Sequence, residues 1–234
     1  MDDLAAVLAP GRLVDLTQPL GPGTVLWPGS RPFEAEVEID HDTHGAYARD
    51  LALPEHAGTH LDAPVHFDRD GASADRLTLA QLVRPAVRLD VRPLVGDDPR
   101  VAVSADQVEA IEEREGRIPT GSAVLVHTGW DRFAGDAQRY APLFPGLAVD
   151  AARLLVDRGA AGIGIDTLGV DPGGADGFPV HRVTLPAGLW HLEGLVRLEQ
   201  VPVRGAWLVA AALPLVDGSG APARVLAILP GGAR

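Results

Sequence analysis

Glycine and proline punctuate this chain from end to end. The 27 glycines and 20 prolines fall in short clusters, such as GPG at 21–23 and DPGGADG at 171–177, with short apolar runs between them. Clusters of this kind mark turns rather than linkers. The runs read as strands at Leu13–Leu16, Glu34–Ile39, Ala48–Leu53, Ala86–Val91, Ala123–Val126, Gly162–Ile165, Leu189–Leu192, Trp207–Leu213 and Arg224–Ile228. Helices are fewer. Ser104 with Gln107 three residues later forms a capping box that predicts a helix to Arg114, Asp150–Arg158 predicts a second ended by Gly159, and Leu77–Leu82 a short third. Strands outnumber helices by roughly three to one without strict alternation. The fold class this predicts is α/β, with a mixed β-sheet core and flanking helices rather than a doubly wound arrangement.

The 234 residues, 46% of them hydrophobic, suffice for one core, and no repeat or low-complexity block divides them, so a single domain over 1–234 is expected. A net charge of -12 and the lack of any basic run argue against a nucleic-acid partner, whose binding is driven by clustered Lys and Arg. The stretch Ala206 to Val216 is about half of the ~20 residues a membrane helix needs and contains Pro214, so it reads as a buried strand. The opening MDDLAAVLAPGR is acidic where a signal peptide is basic. A cytoplasmic location and no membrane association are the expectation. Zero cysteines exclude disulfides, thiolate nucleophiles and Cys-type zinc sites, leaving His, Asp and Glu as the only strong metal ligands.

Three of the eight histidines fall within eleven positions, in HAGTHLDAPVH at 56–66. The HxxxH spacing is that of a zinc-protease helix, but its Glu is missing, and Gly58 and Pro64 would break a helix through the segment. The segment is therefore extended or looped. In an extended chain the two-residue period puts His56, His60, Asp62 and His66 on one face. Imidazole and carboxylate are the usual ligands of zinc and manganese, so this face is a candidate site for a divalent metal. Later in the chain, His181 and His191 compete as further ligands. The period of two would place His191 on one strand face with Glu193.

The motif also resembles the HxGTHxDxPxH signature of the cyclase-like metal-dependent hydrolases, a family that includes bacterial kynurenine formamidase and isatin hydrolase. Every fixed position is present, as His56, Gly58, Thr59, His60, Asp62, Pro64 and His66. The resemblance continues through DLTQPLGPGTVLWPG at 15–29, VHTGW at 126–130, GIGIDTLGVD at 162–171, FPVHRVTLPAGLWHLEGL at 178–195 and APARVLAI at 221–228. It implies the swivelling β/β/α fold, and a metal site in which His56, His60 and Asp62 hold a first ion while His181 and Glu193 join Asp62 at a second. His66 is then either a ligand of the second ion or the catalytic acid–base residue. Trp27 and Trp130 resemble residues that line the family's substrate pocket, and His127 stands where many members carry Arg, which removes a contact to a substrate carboxylate.

The activity so implied is metal-dependent hydrolysis of an amide bond, an aryl formamide or cyclic amide, in a small aromatic substrate, with zinc or manganese as cofactor and a homodimer or homotetramer as the assembly. Two alternatives stay open: hydrolysis of a lactone or imide, and a non-catalytic protein in which a fully coordinated ion only staples the fold. Asp166 and Asp171 bracket the turn after an apolar strand, where a loop carboxylate either faces a site or forms the turn itself, and both stay outside the catalytic set.

Overall fold

The structure, a computed structural model, describes residues 12–229, so nearly all of the acidic opening stretch read for targeting lies outside the described residues. Among the described residues there are twelve strands: β1 (Leu13–Asp15), β2 (Glu34–Ile39), β3 (Ala48–Ala52), β4 (His60–Asp62), β5 (Val83–Asp90), β6 (Ala102–Val103), β7 (Ala123–His127), β8 (Gly146–Leu147), β9 (Gly162–Ile165), β10 (Trp190–Glu193), β11 (Ala206–Ala212) and β12 (Gly220–Ile228). Eight of them form one mixed sheet in the order β1-β12-β11-β5-β7-β9-β10-β4. β5, β7, β9 and β10 run parallel, and the other neighbours in the sheet are antiparallel. β4 also pairs with the start of β12, which closes the sheet into a barrel. The predicted α/β class with a mixed sheet holds. β2 and β3 form a separate hairpin, and β6 pairs with β8.

Alternation along the strands separates two cores. Leu61, Leu125, Trp190, Leu192, Leu208 and Val225 belong to one cluster, which fills the barrel. Val87, Leu89, Val124, Val126, Ile163 and Ile165 belong to the other, outside the barrel. Room for the Trp190 indole comes from Gly162, where any Cβ would clash with the face of the ring. The outer cluster is covered by α2 (Ala105–Glu115) and α3 (Val149–Asp157), through Val108, Ile111, Ala151, Ala152 and Leu155. The Ser104–Gln107 capping box opens α2 as its sequence requires, and α1 (Leu79–Leu82) is the short helix anticipated at 77–82, capped by Thr78 and Gln81. A further short helix, α4 (His181–Thr184), precedes β10.

Two expectations need correction. The run 206–216 is not a buried strand throughout, because β11 alternates: Leu208 and Ala210 are buried, Trp207 is about half exposed, and the chain leaves the sheet at Leu213. The motif 56–66, expected to be extended or looped, is both, so the single extended face drawn for it needs correction. Only His60–Asp62 is strand, since Gly58 turns the backbone at φ +63 and Pro64 starts a 3-10 turn ending at His66. Among the described residues no helix is long and apolar enough to cross a membrane.

Candidate metal centre

β4 lies between β10 and β12, with register pairs His191↔Asp62 and Glu193↔His60. Directly opposed residues of an antiparallel pair share a face. Leu61 and Leu192 therefore point into the barrel, while His60, Asp62, His191 and Glu193 emerge together on its outer side. The fixed Thr59 and Gly58 hold this edge in place. Thr59 Oγ1 donates to the Gly194 carbonyl at 2.6 Å and accepts from Gln18 N at 2.9 Å. The Gly58 carbonyl accepts from His60 Nδ1 at 3.0 Å. His56 and His66, displaced from the strand by the turns at Gly58 and Pro64, come back over it with ring centroids 4.3 Å apart. Gly220 makes space for the first of them, because a Cβ there would lie 2.6 Å from His56 Cε1.

Each ring that faces Asp62 has its outer nitrogen committed as a donor. In His60 that donor is Nδ1, leaving Nε2 at 3.2 Å from Asp62 Oδ1 and 3.5 Å from Glu193 Oε2. In His181, which opens α4, Nδ1 donates to Asp171 Oδ2 at 2.5 Å, leaving Nε2 at 3.3 Å from both Asp62 Oδ2 and Glu193 Oε1. His56 Nε2 lies 2.9 Å from the Ser219 hydroxyl, which itself donates to Glu55 at 2.7 Å, so the ring donates outward while Nδ1 sits 2.6 Å from Asp62 Oδ1. Carboxylate or carbonyl on the far nitrogen and an inward lone pair is the arrangement of metal-binding histidines.

The electrostatics agree. Burial alone would raise the Asp62 carboxyl, but the surrounding histidines, His181 foremost, hold it well below the usual carboxylate range. Burial likewise opposes charge on His60, yet Asp62 and Glu193 raise it to about 9. His181 lies well above its ordinary value, where Asp171, Asp62 and Glu193 outweigh its burial. Without a metal the carboxylates draw protons onto the inward nitrogens of these rings, and a divalent cation would take the place of those protons. Ligand atoms of Asp62, His181, His191 and Glu193 lie within 4.8 Å of one another, as do those of His56, Asp62 and His66. The donor set fits a divalent ion of the zinc or manganese type.

Above these groups opens a cavity of about 280 Å³. Trp27, Phe67, Phe178 and Leu168 form its apolar walls, with Trp27 and Phe178 ring centroids 5.5 Å apart. His66 stands at the mouth, open to solvent on one side, and the burial of the rest of its ring, with His56 and His181 nearby, pushes its imidazole down to about 4 against the pull of Asp62. Of the two tryptophans singled out in the sequence, Trp27 lines the cavity and Trp130 does not. Trp130 is buried against Phe133, in the turn that follows Gly129. His127 is also absent from the walls. It is buried at the end of β7 beside Arg88, so the Arg-for-His difference does not bear on this cavity.

Sequence reasoning missed Phe67 and Phe178, which adjoin the motif histidines, and left Asp171 open between a site-facing carboxylate and a turn former. Asp171 accepts from Val180 N at 2.7 Å and His181 N at 3.2 Å as well as from the His181 ring. It is the residue that orients His181, across a ten-residue loop that no local pattern reveals.

Comparison with known proteins accords with this geometry. The Cyclase family model matches residues 14–172. An isatin hydrolase from Roseibium aggregatum is 32% identical over 98% of this chain and 97% of its own length. A kynurenine formamidase from Salinibacter ruber is 31% identical over 92% of this chain and 96% of its own. Among solved structures, isatin hydrolase A from Ralstonia solanacearum superposes with a TM-score of 0.90 at 35% identity, covering 97% of this chain and 96% of that one. The chain belongs to the cyclase family.

Proposed function

We propose that this protein is a metal-dependent hydrolase that cleaves the amide bond of a small, flat aromatic substrate. The observation that carries the reading is the convergence of inward-facing histidine lone pairs on Asp62 at the floor of an aromatic cavity. His56, His60 and Asp62 would hold one divalent ion, zinc or manganese, and His181 and Glu193 a second that shares Asp62. Such an ion supplies Lewis acidity and lowers the pKa of water it carries.

The chain's own residues do the rest. Trp27, Phe67 and Phe178 grip a flat ring and keep bulk water from it, Asp171 holds His181 in place, and His66 passes a proton to the leaving nitrogen. With a pKa near 4, His66 is neutral at pH 7 and available as a proton acceptor before it acts as donor.

Among the described residues no arginine lines the cavity. This favours an uncharged ring amide of the isatin type over N-formylkynurenine, whose amino-acid end would need a charged partner. A lactone of similar shape is the second reading, since the same groups would serve an oxygen leaving group. The test is a panel of isatin, N-formylkynurenine and an aromatic lactone, assayed with metal-replete and metal-stripped protein. The expected result is fastest turnover of the cyclic amide, abolished by stripping and restored by zinc or manganese. Full-rate hydrolysis by protein shown by elemental analysis to be metal-free would overturn the mechanism.

A further inference from the structure

His191 is fully buried, and its Nδ1 has no hydrogen-bond partner. Its other nitrogen fixes the tautomer. The Thr184 hydroxyl has a single proton, which it donates to the Val180 carbonyl at 2.8 Å. Toward His191 Nε2, 2.7 Å away, the same hydroxyl can therefore only accept. Nε2 carries the ring proton, and Nδ1 presents a bare lone pair.

That lone pair faces Asp62 Oδ2 at 3.8 Å. Two acceptors confronting each other out of contact with water are unfavourable unless a cation lies between them. His181 and Glu193 bring further donor atoms to the same spot, one from each of the four residues within 4.8 Å of the others. The strand register provides three of the four, and α4 provides His181.

We propose that His191 is itself a ligand, through Nδ1, of a divalent cation held by Asp62, His181, His191 and Glu193, and that Thr184 is its positioning residue. The inference rests on the metal reading above and extends it, since the two late histidines act together instead of one displacing the other. Two imidazoles and two carboxylates suit zinc or manganese. His181 and Thr184 lie one turn apart on α4, so this helix both supplies one ligand and sets the proton of another.

Metal-stripped wild type, His191→Gln and Thr184→Val are to be titrated with Co²⁺, following the visible d–d spectrum and calorimetric affinity, with the metal-free melting temperature as a check on folding. In His191→Gln, the expected result is an altered spectrum and a loss of at least about 100-fold in the affinity of one site. Thr184→Val, which keeps the side-chain shape, should lose about 10- to 100-fold, the usual size of an outer-shell effect. Should His191→Gln fail to fold, Thr184→Val decides alone. Unchanged Co²⁺ affinity and spectrum in the variants, with or without a lower metal-free melting temperature, overturn His191 as a ligand and leave the other ligands standing. Wild type that takes up no Co²⁺ overturns the whole metal reading.

Discussion

Asp62 is the one carboxylate that every inward-facing histidine addresses, and its charge decides what the site can hold. Asp62→Asn keeps the shape, removes the charge and turns one oxygen into a donor aimed at the place where a cation would sit. We expect this variant to lose bound metal and more activity than any other single substitution at 56–66; metal content and turnover near wild type would rule out a bridging role. His66 differs in kind, because it stands at the mouth and is held by ring packing on His56 and Phe67. If it moves protons, His66→Ala should retain metal and lose roughly 10²–10⁴-fold in turnover. Loss of metal along with activity would make it a ligand instead, and wild-type turnover would exclude both roles. At this scale the sequence was informative where spacing alone joined His56, His60, Asp62 and His66. It was silent on which late histidine reaches Asp62, because that depends on the register of β10 against β4, and it misplaced Trp130, because an aromatic residue beside a turn reads the same in a wall or in a core.

Element by element, regular local signals survived folding and short or tertiary ones did not. The Ser104 capping box and the β-branched runs at 123–126 and 162–165 correspond to α2, β7 and β9, since cap chemistry and apolar runs act over neighbouring residues. β4, β6 and β8 are only two or three residues long and exist because of their partners, so no window of sequence could show them. The end of β5 illustrates how such an element is secured. Asp90 accepts from Arg92 Nε at 2.8 Å, Arg92 Nη2 at 2.6 Å and Arg88 Nη1 at 3.0 Å. The Arg92 bonds foremost hold its carboxyl far below the ordinary value, against partial burial that would raise it. A carboxylate depressed in the folded state stabilises the fold above its unfolded pKa near 4 and loses that contribution as pH falls toward the folded value. Wild type should therefore lose stability between about pH 4 and pH 2 in part through this group, and Asp90→Asn should flatten that portion of the curve in denaturant melts across the range. Identical acid limbs in the two proteins would show that the arginines contribute nothing here.

For the whole molecule, the consequential point is that the barrel closes through β4. That strand pairs with β10 on one side and β12 on the other, and its two outward residues are His60 and Asp62. The groups proposed to bind metal are thus the groups that complete the sheet, and their mutual repulsion in the absence of positive charge acts directly on the seam. An ion that binds the folded chain alone stabilises it by RT ln(1 + [L]/Kd), about 4 kcal/mol when free metal is 1,000-fold above Kd. For a chain of this size each kcal/mol moves the melting temperature by about 2–4 °C, so saturation should raise it by roughly 8–16 °C, less whatever the histidines of the unfolded chain retain. The rise should depend on metal concentration, and it should be accompanied by slower amide exchange at Leu61, Leu192 and Ala221, the backbone positions that join the three strands of the seam. Strands β5 and β7, remote from the seam, should slow only through global unfolding. Metal-stripped protein whose melting temperature and seam exchange match those of the metal-replete form would separate the site from the closure of the barrel.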